Sequence, residues 1–74
     1  MPEKELERHE LEQVVLQALN RLAVEQRAVV LLVDLLDFDY KEAAQTLSVP
    51  IGTVKSLLAR ARLQLRNQLS DLDE

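Results

Sequence analysis

The segment YKEAAQTLSVPIGTVKSLLARAR, Tyr40 to Arg62, holds two stretches of helical periodicity separated by SVP, and its reading decides the fold. Asp39 and Glu42 have the spacing of a capping box, which predicts a helix over 40–47 with Ala43, Ala44 and Leu47 inward. Pro50 disfavours helical geometry at Val49 and ends that helix. A longer one is expected over about 51–68. Winding it at about 100° per residue puts Val54, Leu58, Ala61, Leu65 and Leu69 on one stripe, its core face. A short helix, a tight turn and a longer helix, with small Ala43 and Ala44 at the crossing, follow the plan of a helix-turn-helix.

Upstream, Leu11, Val14, Val15, Ala18, Leu19 and Leu22 recur at three- and four-residue spacing, predicting an amphipathic helix over about 5–22. The run AVVLLVDLL would also suit a buried strand, but Glu25, Gln26 and Arg27 lead into it as helix formers. Its length favours a largely buried central helix over about 25–36. One Gly, two Pro and 47% apolar residues rich in Leu, Ala and Val complete an all-α expectation: a four-helix domain with a C-terminal helix-turn-helix, over 1–74.

The 74 residues suffice for a single domain whose net stability is on the order of 5 kcal/mol. With no Cys and with His9 as its sole imidazole, the chain offers no expected metal site or cofactor. No catalytic residue stands out, because Ser48, Ser56 and Ser70 have no base nearby in the pattern, so an enzyme is not expected. The longest apolar run is too short to span a membrane and the N-terminus lacks a signal-peptide core, which leaves a cytoplasmic setting as the default.

The net charge of -4 argues against phosphate binding, but its distribution does not. From Met1 to Glu42 there are ten acidic and five basic residues, whereas Ala43 to Ser70 carries Lys55, Arg60, Arg62 and Arg66 and no acid. On the last helix, Gly52, Ser56, Ala59 and Arg60 lie opposite the core stripe, flanked by Lys55 and Thr53. Short side chains around long cations suit a helix entering the DNA major groove, where bulk must be small and Lys or Arg must reach base edges or phosphates. Free N–H groups near Gly52 and Thr53 add a phosphate site. Lys41 is a further phosphate candidate; Phe38 and Tyr40 suit core anchors first, with the Tyr40 hydroxyl also placed to reach a phosphate. Arg62 turns toward the core flank, which suits a phosphate contact or an internal ion pair.

These residues carry a resemblance. Arg27 before the apolar run, Y-x-E-A-A at Tyr40 to Ala44, G-T-V-K-S at Gly52 to Ser56 and R-A-R at Arg60 to Arg62 make the chain similar, over about Leu19 to Leu69, to region four of bacterial sigma factors, closest to the extracytoplasmic-function group. The resemblance implies a transcription initiation role: the last helix reading the minus-35 element of double-stranded promoter DNA, another surface docked on the RNA polymerase β-subunit flap, and anti-sigma factors as a further class of partner. Neither a membrane nor a small-molecule substrate is implied. It assigns base or backbone contact to Lys55, Ser56 and Arg60, with Ala59 at a base-facing position where the family often has a larger residue. It assigns phosphate contact to Thr53 and Arg62, and packing to Val54 and Leu58.

Departures from the pattern set limits. Leu57 stands where the family usually has Arg, Ser48 where it has Gly in the turn, and Ala23 where Pro opens the second helix. Leu57, Leu63 and the acidic flanks support an alternative, a sigma-like module that binds an anti-sigma factor or another helical partner without reading DNA. A regulator's helix-turn-helix outside the sigma group would need a receiver or ligand domain. No counterpart of the minus-10 melting region is present, so the expectation is a fragment of a longer protein.

Overall fold

The computed structural model describes residues 3–70, with side chains from Glu7 onward. Helix α1 spans Glu3–Asn20, α2 Val24–Val30, α3 Tyr40–Leu47 and α4 Ile51–Leu69, and there is no strand among the described residues. The chain is all-α. Its core is a single cluster of Leu22, Val29, Val30, Ala43, Ala44, Val54, Leu58 and Ala61, drawn from α2, α3, α4 and the turn after α1. Three of the eight are alanines, which let the helix backbones approach closely. Val29, Val54 and Leu58 are the largest fully buried side chains, and burying a residue such as Leu58 contributes about 1.5–3 kcal/mol.

The turn between α3 and α4 follows from its residues. The Glu42 N–H donates to Asp39 Oδ1 at 2.7 Å and the Asp39 N–H donates to Glu42 Oε1 at 2.9 Å, the reciprocal bonds of a capping box. At the other end of α3, Ser48 sits in the left-handed region at φ 57°, ψ 44°. Its N–H donates to the Gln45 carbonyl and the Val49 N–H donates to the Ala44 carbonyl, the pair of bonds of a Schellman motif. Val49 packs on the core beside it. Glycine fits this conformation without strain, and serine takes it at a cost of about 1 kcal/mol.

The second helix differs from its expected form over 25–36. It is α-helical only over Val24–Val30 and continues as a π-helical segment, Leu31–Leu35. The Leu36 N–H donates to the Leu31 carbonyl at 3.0 Å and the Phe38 N–H to the Leu32 carbonyl at 2.9 Å, so the helix widens and then closes through Asp37 at φ 60°. Nor is it largely buried. Val29 and Val30 are in the core and Leu32 and Val33 pack on its edge, but Leu31 is exposed, and Leu35 and Leu36 are each 62% exposed. The apolar composition of this run therefore overstates its burial, because only three other helices are available to cover it.

Helix α1 also departs from expectation. It ends at Asn20, and Leu22 lies in the bend that follows. Of its apolar stripe only Ala18 is buried; Val14 and Leu19 are half-buried, Val15 is exposed and Leu11 is 53% exposed. At the join to α2, Arg27 Nη2 donates to the Leu22 carbonyl at 3.2 Å and pins the turn. Ala23, at the start of α2, has extended backbone and no side-chain cap, consistent with the absence of a preferred opening residue.

Candidate nucleic-acid interface

Helix α4 divides along its length into two faces. Val54, Leu58 and Ala61 are buried, Leu65 and Leu69 are half-buried, and together they form the stripe that holds the helix to the domain. Gly52, Lys55, Ser56, Ala59 and Arg60 are all exposed. Neither Lys55 nor Arg60 has an ion-pair partner among the described residues. The Ser56 hydroxyl donates to the Thr53 carbonyl at 3.2 Å, which leaves its oxygen lone pairs outward. Thr53 is half-buried at the edge of this surface.

Gly52 is informative for what it does not touch. A Cβ built on it meets no atom within 4 Å, and its φ is negative. Nothing inside the domain requires glycine there, although glycine in a helix costs about 1 kcal/mol relative to alanine. Pro50 precedes α4 with no side-chain cap, and the first backbone bonds, from Thr53 and Val54 N–H, both go to the Pro50 carbonyl. The first turn of a 19-residue helix thus presents uncapped N–H groups beside an unobstructed glycine.

At the start of α3, Lys41 is exposed and Tyr40 is half-buried against the core, so the phenol ring is an anchor. Phe38 packs on the same core. Leu57, on the flank of α4, is half-buried and packs on the core cluster. An arginine in the family's pattern at this position would sit at the edge of the packing.

Arg62 forms an ion pair. Its Nη2 donates to Asp34 Oδ1 at 2.6 Å and its Nε to Asp34 Oδ2 at 3.2 Å, a bidentate ion pair that joins α4 to the π segment 28 residues earlier. The hydrogen bonds and charge of Asp34, with Tyr40 acting in the same direction, hold the guanidinium pKa above its ordinary value. Asp34 was invisible as a partner in the sequence, because the pairing depends on how α2 crosses α4.

No group of three or more metal-ligating side chains occurs among the described residues, and none of the described helices is long and apolar enough to cross a membrane. His9 is exposed on α1.

The family model for sigma-70, region 4 matches residues 12–65. Over 59 residues the chain is 48% identical to the ECF RNA polymerase sigma factor SigM of Mycobacterium tuberculosis, an overlap of 80% of this chain and 30% of that protein. Over 71 residues it is 31% identical to the ECF RNA polymerase sigma-E factor of Haemophilus influenzae, 96% of this chain and 38% of that one. A 34-residue stretch is 59% identical to the RNA polymerase sigma factor HrpL of Pseudomonas syringae pv. syringae, 46% of this chain and 18% of the relative. The chain thus spans less than two-fifths of the length of these relatives. A matched family model over most of the chain, on an all-α fold ending in a helix-turn-helix, makes this chain a member of the sigma-70 region 4 family.

Proposed function

We propose that this chain is the promoter-recognition module of a sigma factor of the extracytoplasmic-function group, with α4 entering the major groove at the minus-35 element. The observation that carries the reading is the outward face of α4: Gly52, Lys55, Ser56, Ala59 and Arg60 are all exposed, small except for two cations, and the glycine has no internal reason to be there. In this arrangement Lys55 and Arg60 reach base edges, Ser56 contributes a short hydrogen bond, and Ala59 allows close approach while offering at most a methyl contact. Thr53, Lys41, the Tyr40 hydroxyl and the backbone N–H at Gly52 take phosphates and set the register of the helix on the duplex.

RNA polymerase is the second partner in this reading. The exposed leucines at the end of the π segment, Leu35 and Leu36, supply an apolar surface suited to the β-subunit flap. An anti-sigma factor would compete for the same leucines. The reading that the chain binds only proteins retains two supporting observations, exposed Leu63 on the outer side of α4 and the acidic flanks, and loses a third, since Leu57 belongs to the core edge.

Fluorescence anisotropy of a labelled minus-35 duplex and a scrambled duplex, titrated at low and moderate salt, tests the proposal. The expected result is preference for the promoter duplex, and Arg60→Ala should remove about 1–3 kcal/mol of that preference. Equal binding of both duplexes by the unmodified chain, or an Arg60→Ala variant that discriminates as well as its parent, would overturn the groove-facing assignment.

A further inference from the structure

The Asp34–Arg62 pair is the sole ion pair among the described residues, and neither side chain is buried: Arg62 is 51% exposed and Asp34 34%. Exposed pairs of this kind contribute about 0–1 kcal/mol to stability, so holding the fold together is a weak account of it. Its geometry points elsewhere. Asp34 engages Nε and Nη2 of the guanidinium, the fork through which arginine also takes a phosphate. By helical periodicity Arg62 shares the flank of α4 that carries Lys55, Ala59 and Arg66, and Ala59, Arg62, Leu63 and Arg66 line one shallow surface depression. The guanidinium therefore borders the cationic side of the helix while its donors are turned to a carboxylate from the π segment.

We infer that Asp34 stands in for a phosphate: by occupying Arg62 it removes one cation from the backbone grip of α4 and so sets how strongly the module holds any DNA, independent of sequence. The inference rests on the DNA-binding reading above. In the unmodified chain Arg62 makes no phosphate contact. Sequence preference is left to Lys55, Ser56 and Arg60, and a smaller share of the affinity comes from contacts that every duplex offers.

The test uses the full chain and four forms of it: unmodified, Asp34→Asn, Arg62→Ala and the double variant, each checked by circular dichroism for retained helix. Anisotropy is recorded on the promoter and scrambled duplexes across a salt series. Asp34→Asn should tighten binding to both duplexes by the same factor, about three- to tenfold, and steepen the log–log salt slope by about 0.9, one added phosphate contact. Arg62→Ala alone should leave the slope of the unmodified chain unchanged, a readout that does not touch Asp34. The gain from Asp34→Asn should vanish when Arg62 is absent, which separates release of Arg62 from the mere loss of a negative charge. If Asp34→Asn binds no tighter, if its gain persists without Arg62, or if Arg62→Ala flattens the slope, the inference is overturned while the DNA reading stands. Failure of the unmodified chain to bind either duplex overturns both.

Discussion

Helices α1 and α4 are almost equal in length, 18 and 19 residues, and both show apolar residues at helical spacing, yet they end in opposite situations. Helix α4 buries Val54, Leu58 and Ala61 completely, whereas among the described side chains of α1 only Ala18 is buried, and every residue from Glu7 to Gln13 is exposed. The difference lies in neighbours. Helix α4 crosses both α2 and α3, whose Val29, Val30, Ala43 and Ala44 close over it, while residues 7–13 of α1 have no such cover. An apolar stripe states which face of a helix is suited to burial; a second surface is needed before burial stabilises anything.

The strongest way to break this comparison is to truncate one residue on each stripe. Leu58→Ala should cost about 2–5 kcal/mol, most of the stability of a domain this small, and urea unfolding should show the midpoint collapse. A loss under 1 kcal/mol would mean that α4 is not the keystone of the core. Two changes of about 1 kcal/mol then sharpen what α4 is for. Ser48→Gly should relieve the left-handed turn that aims α4, raising stability by about 1 kcal/mol and the thermal midpoint by about 4–8 °C, with DNA binding unaltered. Gly52→Ala should also stabilise the helix by about 1 kcal/mol, since its Cβ meets open space, but should weaken duplex binding in the proposed docking, where that Cβ would meet DNA. Gain of stability with undiminished binding at Gly52 would remove the evidence for close DNA approach. The smallest effect is expected on α1, where Leu11→Ala should shift unfolding by less than about 0.5 kcal/mol.

Much of the C-terminal half was legible in the sequence because its signals are local. The Asp39–Glu42 box, the proline after Val49 and the periodicity from Val54 to Leu65 involve residues a few positions apart, and the chain satisfies them wherever the rest of the domain lies. The turn position of Ser48 was marked only by the family resemblance, which has Gly there, and the second left-handed residue, Asp37, carried no signal at all. It closes a π segment, and no side-chain pattern distinguishes a widened turn from an α-helical one in the run LLVDLL. The burial of Leu57 has no local signal for a related reason: an angle on the helical wheel locates a residue between core and solvent, and the packing of the neighbouring helix decides which side it joins.

For the candidate site, the exposed set Gly52, Lys55, Ser56, Ala59 and Arg60 follows from composition and periodicity once the buried stripe is known. The sequence by itself determined the helices of the C-terminal half, the capped start of α3 and the small, cationic character of the face that α4 turns outward, since each depends on residues within one or two helical turns. Tertiary structure alone decided that α1 would be largely uncovered, that the central helix would open into a π segment with its leucines in solvent, and that Arg62 would close on Asp34. These depend on which surfaces meet across the domain, and a contact between residues 28 apart has no local signal to announce it.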